Sequence, residues 1–136
     1  MVTVITGSKG SGKTKILAER VIAAERDSDG SVICVEQKRK LNYAIPSRVR
    51  LIASNDYKIV GYDAFYGFLC GICAQDHDIT DVFVDATLRI GGRDYAALAA
   101  FLKKVAALEK NITFTISEDK SKLPQEIFEF CEEVVF

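Results

Sequence analysis

The chain has 136 residues, a length that fits one domain and leaves no room for two independent hydrophobic cores. Hydrophobic residues make up 49% of it and charged residues 27%, which excludes a disordered chain with too few apolar residues to offset the entropy of ordering. The 18 basic and 19 acidic residues leave a net charge of −1, so the composition gives no electrostatic support to nucleic-acid binding.

The sequence also predicts a cellular compartment. The first residues lack the basic segment and long apolar stretch of a signal peptide, and no run of about 18 apolar residues offers a membrane-spanning helix. The four cysteines are interpreted as buried thiols of a reducing compartment rather than as a disulfide framework. They are Cys34, Cys70, Cys73 and Cys131. We therefore expect a cytoplasmic protein.

Short apolar runs alternate with amphipathic segments along the chain, a pattern that predicts a parallel α/β sheet. Strands are predicted at residues 2–6, 31–35, 49–53, 81–85, 112–116 and 133–136, with a small extended piece at 59–62. Helices are predicted from the end of the 7–14 segment to about residue 25, from an N-cap at Asp63 to about residue 75, over about 94–110, and as a last short helix that opens at Leu123-Pro124. The expected fold class is a three-layer α/β domain whose mostly parallel sheet of five or six strands is flanked by helices.

A glycine-rich loop joins the first predicted strand to the first predicted helix. Residues 7–14 match the pattern Gly-x-x-x-x-Gly-Lys-Thr in full. Glycines let the backbone come close to phosphate oxygens, and the N-terminus of the following helix attracts negative charge. The pattern predicts that Lys13 lies along the β- and γ-phosphates of a nucleotide and that the Thr14 hydroxyl binds Mg²⁺. The expected phosphate-binding residues are Gly7, Ser8, Lys9, Gly10, Ser11, Gly12, Lys13 and Thr14.

Residues 1–25, together with the strand that ends at Asp85, resemble the P-loop NTPase superfamily. In this resemblance residues 7–14 are the Walker A motif and residues 82–85 (Val-Phe-Val-Asp) the Walker B motif, whose aspartate holds Mg²⁺ through water. Two strand candidates precede Asp85 after the first helix, the chain order of the additional-strand, RecA-like division. In that division a further strand separates the two Walker strands. The resemblance implies a protein that binds ATP or GTP with Mg²⁺, and the absence of an Asn-Lys-x-Asp guanine motif favours ATP.

The residue after Asp85 departs from many RecA-like ATPases, which carry a catalytic glutamate there. Ala86 occupies the position and cannot transfer a proton, so hydrolysis requires another base or does not take place. Glu36, at the end of the second predicted strand, is a candidate base or simply begins the polar loop 36–46 with its basic run at 38–40. Ser117 is a candidate γ-phosphate sensor. Arg89 and Arg93 are candidate phosphate contacts, in cis or across an interface, or simply surface arginines.

Two narrower resemblances leave the function open. The short architecture is similar to the thymidine kinase core without its zinc-bearing lasso. The chain also resembles short bacterial proteins described as twitching-motility ATPases. It lacks the extra N-terminal domain and the histidine and aspartate boxes that a retraction motor needs. Three functions are compatible with the sequence: a slow ATPase, a non-hydrolysing module whose bound nucleotide controls a protein partner, and a small-molecule phosphotransferase. Self-association is a further possibility, because many RecA-like ATPases complete their sites with a neighbour's arginine.

A Cys-x-x-Cys sequence at Cys70 and Cys73 precedes the single histidine, His77. Metal binding would need a second pair of ligands near by, and thioredoxin-like chemistry would need the motif at the start of a helix. We therefore interpret both cysteines as packed thiols and His77 as part of a solvent-exposed turn.

Overall fold

The computed structural model describes residues 1–38 and 45–135 and confirms the predicted α/β fold class. Its strands are β1 (Val2–Thr6), β2 (Ser31–Glu36), β3 (Arg50–Ala53), β4 (Ile79–Asp85), β5 (Asn111–Ile116) and β6 (Cys131–Val135). Its helices are α1 (Lys13–Asp27), α2 (Tyr62–Gln75), α3 (Thr87–Gly91), α4 (Tyr95–Ala106) and α5 (Ile127–Phe130), and 3-10 turns form at Ser54–Tyr57 and Lys120–Lys122.

The six strands form one parallel sheet in the order β3-β2-β4-β5-β1-β6. The strand β5 lies between β1, which precedes the glycine-rich loop, and β4, which ends at Asp85. Because all strands run in the same direction, their carboxyl ends meet at one edge of the sheet, where α/β proteins place ligand sites. The topology therefore brings the 7–14 loop and Asp85 to the same edge.

Helices cover both faces of the sheet and create two packed layers of apolar side chains. On one face, α1 packs its buried Leu17 and Val21 against a small cluster that includes Phe83 of β4. On the other face, Phe65 of α2 stacks on Phe101 of α4, with ring centroids 4.8 Å apart. A larger cluster surrounds these two helices, so the sheet is buried on both sides, as its apolar strands require.

Two local predictions between residues 54 and 63 are wrong. The segment predicted to be extended at 59–62 follows a 3-10 turn, and the Ile59 N–H donates to the Ser54 carbonyl instead of to a strand. The N-cap of α2 is Gly61, not Asp63, which lies in the first turn. Gly61 has a φ of 88°, a conformation that glycine adopts readily, and its N–H donates to the Ile90 carbonyl. This contact with α3 sets the start of the helix, and a sequence pattern does not reveal it.

The remaining elements follow the predictions with shifted ends. The segment after Asp85 carries two glycines, Gly91 and Gly92, that favour a loop, but it contains the single-turn helix α3. The helix α4 begins after Asp94, whose carboxylate caps the Ala97 N–H, and it ends at Ala106, four residues before the expected end. The helix α5 begins at Ile127, later than expected. Residues 39–44 of the predicted polar loop lie outside the described residues.

Among the helices of the described residues, none combines the length and apolar character that crossing a bilayer requires.

Two of the four cysteines, Cys34 and Cys131, are buried, and burial raises the pKa of each thiol to about 12. Cys70 and Cys73 are partly buried within α2, and His77 lies exposed in the turn that follows this helix. The two buried thiols therefore stay protonated and act as packing groups.

Gly67 and Gly71 lie four residues apart in α2, a spacing that favours close packing between helices, yet within the described residues they do not mediate such packing. Both lie on the exposed face of α2, and a Cβ added at either would meet no atom of the described residues within 4 Å. A spacing of four residues places two glycines on one helix face, but it does not indicate whether a neighbour covers that face. These glycines therefore lower the helix propensity without a packing gain.

We expect Gly67→Ala and Gly71→Ala each to raise the free energy of unfolding by about 1 kcal/mol, because glycine is that much less favourable than alanine inside a helix. Chemical denaturation measures the effect. The contrasting variant is Gly91→Ala, whose added Cβ would overlap the Tyr62 ring, which the Gly92 carbonyl holds through a 2.6 Å hydrogen bond. That variant should lower the free energy of unfolding by about 1–3 kcal/mol. Destabilisation by both α2 substitutions would show that their exposed face is in fact covered.

Candidate functional site

Residues 7–14 form a compact loop between β1 and α1. Gly10 and Gly12 have φ angles of 83° and 97°, which side-chain-bearing residues rarely adopt, so the backbone conformation itself requires glycine at both positions. The Gly7 N–H donates to the Glu118 carbonyl, and the Ser11 N–H donates to the Ser8 carbonyl. The loop ends at Gly12, which is the N-cap of α1.

The side chain of Lys13 is folded back into the centre of this loop. Its Nζ donates to the Ser8 carbonyl at 2.7 Å and to the Ser11 hydroxyl at 3.4 Å, and the residue is only 5% exposed. Burial lowers the pKa of Lys13, and the negative charge of Asp85 partly opposes this decrease. Within the described residues Lys13 forms no ion pair at contact distance, so the loop holds a buried ammonium without a partner anion.

The next residue, Thr14, contacts the carboxylate at the end of β4. Its Oγ1 donates to Asp85, lying 3.3 Å from Oδ2 and 3.5 Å from Oδ1. A second hydroxyl, that of Thr115 on β5, donates to Asp85 Oδ1 at 2.5 Å. The structure thus brings together the two residues predicted to bind Mg²⁺ and adds a threonine that fixes the carboxylate.

A cavity of about 440 Å³ opens over this arrangement. It is lined by Lys9, Gly10, Gly12, Lys13, Thr14, Asp85, Ala86, Arg89 and Ser117. Three of these side chains are cationic and one is anionic, which favours an anionic ligand. The first N–H groups of α1 have no carbonyl acceptor within the helix and lie at this cavity, because Gly12, Lys13 and Thr14 all line it. Hereafter this space is called the phosphate cavity.

The other predicted site residues differ in whether they line the phosphate cavity. Ser117 and Arg89 line it directly, whereas Arg93 lines only a smaller adjoining cavity. Glu36 is 2% exposed and pairs in strand register with Asp85, next to a narrow cleft that contains Ala86 and Arg89. Glu36 is therefore beside the aspartate, but it is not in the wall of the cavity.

Ala86 lines the phosphate cavity immediately after Asp85, and the peptide bond between them is cis. A methyl group cannot accept a proton from water. Among the residues that line the cavity, Asp85 is the single carboxylate, and two threonine hydroxyls already contact it. Among the residues that line the cavity, groups that could contact a phosphate or a metal therefore outnumber groups that could act as a base.

The Thr14 hydroxyl and the Asp85 carboxylate fit Mg²⁺ only when the ion takes further ligands from water or phosphate oxygens. The described residues contain no group of three or more His, Cys, Asp or Glu side chains arranged to hold a metal. The Thr14 hydroxyl and the Asp85 carboxylate are hard oxygen donors of the kind that Mg²⁺ prefers, and the ion usually takes its remaining ligands from water and substrate phosphates. A magnesium–nucleotide complex therefore suits these residues better than a resident metal.

Sequence reasoning missed Thr115. The strand β5 pairs with β4 in a register that sets Val84 opposite Phe114, which brings the next residues, Asp85 and Thr115, side by side. The available signal was the alternation of Thr113 and Thr115 with the apolar residues at 112, 114 and 116. Hydroxyls at every second residue of a buried strand need partners, and for Thr115 the partner is Asp85.

We expect Thr115→Val to weaken Mg²⁺-dependent nucleotide binding about 10-fold, because hydrogen-bonding partners of metal-binding groups contribute on that scale. Valine preserves the shape of the side chain, so the fold should be retained. Titration with ATP at several Mg²⁺ concentrations measures the effect. The matched control is Thr113→Val, a buried threonine two residues earlier on the same face of β5. Equal affinities for the two variants would remove Thr115 from the site.

No protein-family model and no curated protein matches this sequence at a significant level. The arrangement of residues at the sheet edge is therefore what indicates the class of ligand.

Proposed function

We propose that the chain is a P-loop NTPase of the additional-strand, RecA-like division, which binds ATP with Mg²⁺ in the cytoplasm. The observation that carries the proposal is the buried ammonium of Lys13 at the centre of the 7–14 loop, next to the pair formed by Thr14 and Asp85. The position of β5 between β1 and β4 supports the assignment to this division.

Each group has a role that its chemistry allows. Backbone N–H groups at the start of α1 donate to phosphate oxygens, and the Lys13 ammonium offsets their charge. The Thr14 hydroxyl and the Asp85 carboxylate hold Mg²⁺, which supplies further charge neutralisation when the nucleotide is bound. Arg89 and Ser117 line the same cavity, where a guanidinium and a hydroxyl can donate to the terminal phosphate.

We infer slow hydrolysis, because Ala86 offers no base and the candidate substitute is Glu36, which pairs with Asp85 in the register of β2 and β4. Phosphate release from ATP by the wild-type chain should exceed that of Lys13→Ala and stay well below about 10 per second, a typical enzyme turnover. Glu36→Gln should then decrease the remaining rate. A rate of phosphate release equal to that of Lys13→Ala would exclude hydrolysis, and only the proposal of nucleotide binding would remain.

A non-hydrolysing module that responds to nucleotide is the second candidate, and Ala86 in the cavity wall favours it. In this form of the proposal the protein binds ATP tightly and releases no phosphate, and the bound nucleotide changes the affinity for a protein partner or a second copy of the chain. Replacing ATP by GTP in the same titrations determines which nucleoside triphosphate is preferred.

A further inference from the structure

The short helix α3 begins two residues after Asp85 and carries Arg89 into the wall of the phosphate cavity. Arg89 is exposed, whereas the residues around it in the turn are buried, namely Thr87, Leu88 and Ile90. Because these buried side chains face the protein interior, the orientation of α3 about its axis determines that Arg89 faces the cavity. Contacts that fix α3 therefore also fix the point from which the Arg89 side chain starts.

Tyr62, in the first turn of α2, packs against the end of α3. Its hydroxyl donates to the Gly92 carbonyl at 2.6 Å, and its ring lies so close to Gly91 that a Cβ there would overlap it. The residue is 8% exposed, and its ring centroid lies 5.1 Å from that of Phe101 on α4. Burial raises the pKa of Tyr62, so its hydroxyl stays protonated and remains a donor. Tyr62 therefore ties α3 to the packed layer formed by α2 and α4.

Two further hydrogen bonds hold the same end of α3. The Gly61 N–H donates to the Ile90 carbonyl at 2.9 Å, and the Gln37 side-chain Nε2 donates to the Arg89 carbonyl at 3.2 Å. Carbonyls at the end of a helix have no partner within it, and a single turn has too few internal hydrogen bonds to be stable alone. The orientation of α3 therefore depends on these contacts from α2 and from the residue that follows β2.

We propose that Tyr62 and Gln37 are positioning residues, which hold α3 so that Arg89 contacts the terminal phosphate of the bound nucleotide. The inference rests on the proposed function, which assigns the phosphate cavity to ATP. Neither Tyr62 nor Gln37 lines that cavity, so both act through the backbone of α3 and not through contact with the nucleotide. A backbone that is already held in place reduces the ordering cost when the flexible arginine binds, and this increases affinity.

Calorimetric titration with ATP and with ADP, both in the presence of Mg²⁺, tests the proposal on the full chain. Tyr62→Phe keeps the packed ring and removes the hydrogen bond to Gly92. We expect it to weaken ATP binding about 5-fold, the usual contribution of one hydrogen bond. ADP binding should be unchanged, because ADP lacks the phosphate that Arg89 contacts. A loss of overall stability alone would weaken the binding of both nucleotides equally.

The double variant Tyr62→Phe/Arg89→Gln shows whether Tyr62 acts through Arg89. Arg89→Gln should itself decrease the preference for ATP over ADP, and the addition of Tyr62→Phe should have no further effect, because coupled residues are not additive. Gln37→Ala repeats the test at an exposed side chain, where the fold is retained, and should decrease the same preference about 2–5-fold. The matched control is Tyr66→Phe, one turn further along α2, whose ring faces the Lys104 ammonium. It should bind both nucleotides as wild type does.

The possible outcomes separate this inference from the proposed function. Equal weakening of ATP and ADP binding, or a full effect of Tyr62→Phe in the Arg89→Gln background, would show a purely structural role and overturn the inference. If wild type binds ATP, and Tyr62→Phe and Gln37→Ala keep its preference over ADP, the inference alone fails. If wild type binds neither nucleotide, the inference and the proposed function fail together.

Discussion

Replacement of Lys13 by alanine is expected to weaken the binding of ATP with Mg²⁺ about 100-fold or more, because a buried ammonium contributes charge-assisted hydrogen bonds to phosphate. Its Nζ is held 2.7 Å from the Ser8 carbonyl in the centre of the loop, so phosphate oxygens replace existing contacts and the side chain needs little rearrangement. Calorimetry with wild type and variant measures the ratio of dissociation constants.

The matched control for this experiment is Lys15→Ala. Lys15 is an exposed lysine on the same helix and does not line the phosphate cavity. The control should bind ATP as wild type does, and thermal unfolding of both variants checks that they fold. Comparable affinities for Lys13→Ala and Lys15→Ala would contradict a phosphate-binding role for the loop.

Asp85→Asn is expected to reduce the contribution of Mg²⁺ to ATP affinity about 10–100-fold, the range found for groups that orient a metal and its ligands. Asparagine retains an oxygen that can accept from Thr14 and Thr115, but it loses the negative charge that attracts the ion. The measurement is ATP affinity with Mg²⁺ and with EDTA, compared between wild type and the variant.

The control for the charge is Asp81→Asn at the other end of β4. Asp81 accepts a 2.8 Å hydrogen bond from Thr80 and does not line the phosphate cavity. It should leave the Mg²⁺ dependence unchanged. If Asp85→Asn also responds to Mg²⁺ as wild type does, the ion is held elsewhere.

Much of the fold follows from local patterns in the sequence. The apolar run of β1, the glycines at positions 10 and 12 and the amphipathic stripe of α1 each specify their own element, so strand, loop and helix are all found where they are predicted. The alternation of apolar runs and helices likewise predicts the parallel sheet, because such a sheet buries both faces.

The parts that the sequence does not predict depend on contacts between distant residues. Thr115 reaches Asp85 only because the β4–β5 register pairs Val84 with Phe114; a slip of one residue would turn the hydroxyl to the opposite face of the sheet. The start of α2 depends on the hydrogen bond between Gly61 and Ile90, which lies 29 positions further along the chain. The alternating threonines of β5 indicate that Thr115 needs a partner but do not identify Asp85, and no local pattern indicates the contact between Gly61 and Ile90.

The central claim is that residues 7–14 bind a nucleoside triphosphate together with Mg²⁺. Isothermal titration calorimetry of ATP into the unmodified chain, with Mg²⁺ and again with EDTA, tests it most directly. We predict one site with a dissociation constant of about 1 mM or below, within the range common for nucleotide substrates, and weaker binding when Mg²⁺ is removed. Absence of heat up to millimolar ATP and GTP, from a chain shown to be folded, would contradict the claim.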